Sequence, residues 1–208
     1  MVDCVIFDIG NVLFPFDYER AARRLGMNSE FDREAVVAAK TELETGRIGR
    51  VDFLKRVRQF FEFGGSDEEF LAIWSDIFDT NEAMWEVARR LAERYPLYLL
   101  SNISCIHREY LHARYEIMKV FRDGVYSYEV GLLKPDEEIF RLASERFGVE
   151  PQRAVYVDDM PENVRSAAGV GFRTVCYDFR NHAAGEAEIW RLLGWDGEGL
   201  EDGVGSRR

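Results

Sequence analysis

The chain is poor in cysteine, in positive charge and in long apolar runs. Its 208 residues hold only three cysteines. Cys4, Cys105 and Cys176 lie scattered, without the paired spacing of a zinc site, which fits a protein of the reducing cytoplasm. No apolar run is long enough to span a bilayer. No basic segment precedes an apolar one at the start, so no signal peptide is expected. Lys and Arg number 27 against 38 Asp and Glu, a formal net charge of −11. That balance argues against non-specific binding to nucleic acid or to an anionic membrane. Small anionic substrates remain open, because local charge can oppose the total. No internal repeat is found.

What is present is a globular composition, 47% hydrophobic and 31% charged, in a chain long enough for one sizeable core plus a small subdomain. Short β-branched and aromatic runs predict strands at 2–8, 97–101, 124–128, 154–158 and 173–177. Helical patterns fill 17–26, 30–44, 50–62 and 67–78, then 81–94, 104–116, 136–147, 162–168 and 186–193. Ser66 and Glu69 make a capping box at the head of one of them. Apolar strands alternating with helices predict an α/β fold, Rossmann-like, with a largely parallel sheet. The helical block between the first two strands is too long for a plain crossover. It is expected to be an inserted helical cap over 17–78, with 1–16 and 79–208 forming a discontinuous core. The Gly-rich acidic tail from Gly194 is expected to be a mobile end.

In parallel sheets ligands bind beyond the carboxyl ends of the strands. Three predicted strand ends carry polar groups there: Asp8, then Ser101 with Asn102, then Asp158 with Asp159. Lys134 adds a cation just before Pro135 at the start of a helix. The set suits phosphoryl transfer. A carboxylate can attack phosphorus. Several carboxylates can hold Mg²⁺. A hydroxyl, helix-start amides and a lysine can hold phosphate oxygens. Each residue alone also has a structural reading: a turn cap for Asp8, helix N-caps for Ser101 and Asn102, a solvated lysine for Lys134. Their joint occurrence at strand ends favours chemistry, and adjacent acids such as Asp158 and Asp159 repel unless a cation or solvent relieves them.

Taken together, "VIFDIGNVLF", "LLSNI", "GLLKPDEEIF" and "VYVDDMPENV" resemble the four motifs of the haloacid dehalogenase (HAD) superfamily of hydrolases. The wording is closest to a bacterial subgroup that includes α-D-glucose-1-phosphate phosphatase, and the helical insertion resembles the family's C1 cap. The resemblance implies Asp8 as nucleophile, forming an aspartyl-phosphate. It implies the Gly10 carbonyl, Asp8, Asp159 and, directly or behind it, Asp158 as Mg²⁺ ligands. It implies Ser101, with Asn102 beside it, at the phosphate, and Lys134 steadying nucleophile and phosphate. Asn163 stands where many members place another acid.

Gly10 departs from the family pattern. Most phosphatases of the superfamily carry a second Asp there, which protonates the leaving group and then activates water. Such a group is worth roughly 10²–10⁴-fold, so its loss predicts a slower or leaving-group-sensitive enzyme. His107, near the start of a helix, is a candidate replacement. Arg47, in the Gly-flanked turn "ETGRIGR", is a candidate substrate contact from the cap. Phe14, Phe16 and Trp74 are expected in packing roles, and no redox role is expected for Cys105. The leading expectation is a Mg²⁺-dependent phosphatase of a small phosphorylated metabolite, such as a sugar phosphate. The alternatives are a 2-haloacid dehalogenase using Asp8 against carbon, and a binding scaffold with negligible turnover. No oligomeric state can be read from the sequence.

Overall fold

The computed structural model describes residues 1–27 and 30–194. The tail expectation falls mainly on residues 195–208, outside the described ones. Five parallel strands make one sheet: β1 (Cys4–Phe7), β2 (Leu97–Ser101), β3 (Asp123–Tyr126), β4 (Ala154–Asp158) and β5 (Arg173–Cys176), in the order β3-β2-β1-β4-β5. β1 lies at the centre, with Phe7 level with Leu99 of β2 and Val157 of β4. This register brings the ends of β1, β2 and β4 to one edge.

The strands are apolar throughout because both faces are covered. Val5, Phe7, Leu97, Leu99, Val155 and Val157 face one layer. There they meet Met84, Trp85 and Leu91 of α5 (Glu82–Ala92), Leu111 of α6 (Cys105–Arg114) and Ile189 and Trp190 of α10 (His182–Leu192). Cys4, Ile6, Ala154 and Tyr156 face the other, against Ile139, Phe140 and Ala143 of α8 (Glu137–Phe147) and Ala167 of α9 (Pro161–Val170). The result is a three-layer α/β/α sandwich. No helix among the described residues is long and apolar enough to cross a membrane.

Between β1 and α5 stand α1 (Tyr18–Leu25), α2 (Glu30–Glu44), α3 (Arg50–Val57) and α4 (Asp67–Ser75). Their entry and exit strands run side by side as a neck. The Asp17 N–H donates to the Ile77 carbonyl at 2.9 Å, and the Asp79 N–H to the Pro15 carbonyl at 2.8 Å. Phe53, Phe70 and Trp74 from this layer join the same hydrophobic cluster as Val5 and Phe7, so its interior continues into one face of the sheet. The layer rests on the core a second time where Arg50 ion-pairs with Glu109 of α6.

Several element ends differ from expectation, among them the helix expected over 186–193, which begins at His182. The helix expected over 50–62 stops at Val57 and closes with a 3₁₀ turn at Arg58–Phe60. Glu62 then donates to the Gly26 carbonyl at 3.0 Å, so pairing with the end of α1 displaces the last helical turn. The helix expected to reach 78 stops at Ser75, where the chain enters the neck. The strand expected over 124–128 stops at Tyr126. The Ser127 hydroxyl accepts from the Ile103 N–H at 3.0 Å and donates to the Ile103 carbonyl at 3.2 Å, and the chain turns into α7 (Ser127–Val130).

Candidate active site

β1 brings Asp8 to the carboxyl edge, and the Asp8 N–H donates to the Val157 carbonyl at 2.9 Å. The chain then turns tightly: the Leu13 and Phe14 N–H groups both donate to the Ile9 carbonyl, at 3.0 and 2.9 Å. Asn11 sits in the left-handed region at φ 51, which Asn tolerates better than most residues. That turn aims Asn11 Nδ2 at Asp159 Oδ2, 2.9 Å away. The Gly10 carbonyl accepts no backbone hydrogen bond among the described residues.

Lys134 joins the strand ends. Its Nζ donates to Asp158 Oδ2 at 2.7 Å and to the Leu100 carbonyl at 3.1 Å. It also lies 2.9 Å from Asp8 Oδ1, and its side chain is 1% exposed. Burial pushes its pKa down, but Asp8 and Asp158 outweigh burial and hold it above the ordinary lysine value. Asn102 clamps the Lys134 backbone. Its Nδ2 donates to the Lys134 carbonyl at 2.9 Å, and the Lys134 N–H donates to its Oδ1 at 2.8 Å. Asn102 therefore lines the cavity but turns its amide onto Lys134, where a phosphate contact was expected.

The three acids differ in how well they are compensated. Asp158 is fully buried. It accepts from the Tyr156 hydroxyl, from Lys134, from the Met160 N–H at 2.8 Å and from Asn163 Nδ2 at 3.0 Å. Burial raises its pKa, but Lys134 and these hydrogen bonds outweigh it and leave the group below the usual range. Asp159 is raised, first by burial and then by Asp158, against the Asn11 hydrogen bond. Asp8 is pushed up to about 6, first by burial and in part by Asp158, against Lys134 and a hydrogen bond from Ser101. Asp8 Oδ1 is buried without an aligned hydrogen bond, despite its close ion contact with Lys134.

One oxygen from each of Asp8, Asp158 and Asp159 lies within 4.8 Å of the others. Three carboxylates facing one ammonium leave negative charge in excess, and burial first, then Asp158, raises Asp8 and Asp159. An all-oxygen set at this spacing fits a small hard cation with bonds of roughly 2.0–2.1 Å, and Mg²⁺ above all.

Above this floor opens a cavity of about 600 Å³. Phe16, Tyr18, Trp74 and Phe78 give its walls an aromatic character. Charges from α2 and α1 enter it as pairs, Lys40 with Glu44 at 2.7 Å and Arg33 with Glu19. His107 also lines it and is buried. Its Nε2 lies 3.2 Å from the Trp74 carbonyl, an acceptor, which places the proton on Nε2. Nδ1 therefore accepts from the Tyr18 hydroxyl, 3.4 Å away. Burial pushes the imidazole down to about 4, so at neutral pH its one proton is held on a backbone carbonyl. The expectation of His107 as a replacement acid is corrected on that ground. Arg47 is corrected too: it is exposed and does not line the cavity. Its turn is pressed onto the core, since a Cβ on Gly46 would run into the Tyr128 carbonyl.

Asn11, Tyr18, Phe16 and Tyr156 are the site residues that the sequence reading missed or placed elsewhere. Tyr156 was within reach, because strand period two sets it beside Asp158 on one face. Asn11 and Tyr18 carry no such signal.

A buried carboxylate stands at the tip of a central parallel strand, braced by a lysine and flanked by two further acids. The family model of the haloacid dehalogenase-like hydrolases matches residues 2–171, and the chain belongs to that family. It is 25% identical over 187 residues to D-ribitol-5-phosphate phosphatase of Bacteroides thetaiotaomicron, covering 84% of this chain and 91% of that protein. A HAD family enzyme of the same organism, solved in complex with magnesium and inorganic phosphate, superposes with a TM-score of 0.74 at 25% identity, covering 84% of this chain and 93% of that one. A HAD-like family hydrolase from Porphyromonas gingivalis shares the fold with a TM-score of 0.78 at 24% identity, covering 93% and 98%.

Proposed function

We propose that this hydrolase is a magnesium-dependent phosphatase of a small, neutral sugar or polyol phosphate, with Asp8 as nucleophile and α1–α4 as the substrate-enclosing cap. The observation that carries the reading is the Lys134-braced cluster of Asp8, Asp158 and Asp159 at the floor of the cavity. The Bacteroides relatives named above support it.

Asp8, Asp159 and the Gly10 carbonyl, with Asp158 behind them, are the groups that would hold Mg²⁺, whose charge would offset that of the phosphate oxygens. An Asp8 carboxylate oxygen attacks phosphorus, the ester oxygen leaves, and an acyl phosphate forms on Asp8. Lys134 stays protonated and balances charge beside both Asp8 and the transferred group. Ser101 donates from the end of β2. Water then attacks phosphorus, releasing phosphate and restoring the carboxylate. Gly10 supplies no proton, so anomeric sugar phosphates, with their better leaving groups, should turn over faster than polyol phosphates.

The paired charges of the cap wall favour a leaving group without net charge. Hydroxyls can meet Tyr18, Lys40 and Glu44 from a sugar or polyol resting on the aromatic rings. A phosphoamino acid would bring its own ammonium and carboxylate against charges already neutralised. Assay of polyol, sugar and amino-acid phosphates with and without Mg²⁺ tests the reading. Magnesium-dependent release of phosphate, highest for esters of uncharged sugars and polyols, is expected. Turnover of 2-haloacids that survives chelation would overturn it in favour of carbon chemistry, and no turnover of any class would favour a binding scaffold.

A further inference from the structure

A second cavity, of about 180 Å³, opens beside β3 at the edge of the sheet. Leu99, Met118 and Phe121 give it an apolar floor, and Arg108, Arg122 and Arg146 reach it from three different segments. The acids at its rim are already engaged. Asp123 takes two hydrogen bonds from Arg146, both at 2.8 Å, and Glu129 lies 3.9 Å from the same guanidinium.

The other two arginines have no carboxylate. Among the described residues Arg108 forms no ion pair; its guanidinium lies over the Tyr126 ring, 5.3 Å from the centroid, and reaches the Tyr126 hydroxyl, while its buried Nε has no hydrogen-bond partner. An orphaned buried donor on a cation is costly and marks a place for an acceptor. Arg122 is exposed and forms no ion pair or side-chain hydrogen bond among the described residues. The Tyr126 hydroxyl is held 3.2 Å from His112 Nε2. This fold-back of the ring requires Gly124, where a Cβ would lie 2.6 Å from the Tyr126 hydroxyl oxygen.

We propose that this cavity binds a small tetrahedral oxyanion of the size of inorganic phosphate, held by Arg108 and Arg122, at a site separate from the Asp8 cluster. Guanidinium forks match such oxyanions in shape as well as charge. The space holds one with several waters, each needing about 30 Å³. The site stands one residue from the first: His107 lines the Asp8 cavity and Arg108 lines this one.

Arginine Nε–H resonances of the full-length ¹⁵N-labelled protein, titrated with sodium sulfate, test the proposal, with sodium chloride at equal ionic strength as control. The Arg108 signal is expected to shift saturably with sulfate alone. Arg122→Ala, an exposed change, should weaken that binding at least tenfold and leave hydrolysis of p-nitrophenyl phosphate unchanged. An identical response to chloride, or sulfate affinity untouched in Arg122→Ala, would overturn it.

Discussion

The phenyl ring of Phe16 fills the space that a side chain on Gly10 would need: a Cβ built on Gly10 would lie 2.8 Å from Phe16 Cε1. Gly10 is not in the left-handed region, so its backbone would accept another residue, and the obstacle is the Phe16 ring, which would have to swing aside. Phe16 belongs to the neck between β1 and α1 and meets Tyr18 and Phe78 edge-on, with centroids 5.6 and 6.3 Å away.

Restoring the acid with Gly10→Asp alone should therefore gain little, because the carboxyl must displace an aromatic cluster. Gly10→Asp combined with Phe16→Ala should raise turnover of esters with poor leaving groups, up to the roughly 10²–10⁴-fold of positioned acid–base catalysis. Rates plotted against leaving-group pKa should show a steep slope for the natural protein and a flatter one for the double variant. Equal slopes for both would mean that another group already delivers the proton.

Asn102→Ala removes both hydrogen bonds that fix the Lys134 backbone. Their loss in a partly buried setting should cost roughly 1–3 kcal/mol of stability. It should also lower kcat more than it raises KM if Lys134 acts, as proposed, on the reacting groups and not on the leaving group. A variant with unchanged kcat and raised KM would instead put Asn102 in direct contact with substrate.

Arg47→Ala should leave the ranking of a substrate panel unchanged, because Arg47 lies outside the cavity. Lys40→Met paired with Glu44→Gln should reorder it, since this pair stands in the wall and the double change leaves no lone buried charge. Relative kcat/KM across sugar and polyol phosphates is the readout. A reordering by Arg47→Ala would mean that the cap closes differently around substrate.

His107 should make the fold acid-sensitive. Unfolded, the imidazole takes up a proton near 6.5; folded, where burial opposes its charge, only near 4. Between those values the unfolded chain binds more protons. The stability contributed by keeping this group neutral is therefore full above 6.5 and declines as pH falls toward 4, by up to about 3 kcal/mol. Denaturant midpoints measured across that range should fall less steeply for His107→Gln. Parallel curves would remove His107 as the source.

Much of this architecture is legible in the sequence because it is locally encoded. β2 and β4 run over the expected residues 97–101 and 154–158, since a doubly covered parallel strand needs an unbroken apolar run. Asp8, Ser101, Lys134, Asp158 and Asp159 come together because each is tied to a strand end or a motif. What the sequence hides is tertiary. Ser127 ends β3 through Ile103, residues 61–62 turn aside to meet the end of α1, and Arg47 is turned outward by the docking of its loop. Phe16 reads as packing in sequence, yet in the structure it lines the cavity, and its position over Gly10 depends on the neck, which no local pattern reveals.

The central claim is that Asp8 attacks phosphorus. Rapid acid quench of the protein during turnover of a substrate phosphate with Mg²⁺, followed by peptide mass analysis, reads it directly. The peptide holding Asp8 should carry one phosphoryl group, removable by hydroxylamine, and Asp8→Asn should carry none and lose turnover while keeping its fold. Steady hydrolysis with no adduct at any quench time, together with turnover retained in Asp8→Asn that has not deamidated, would contradict it.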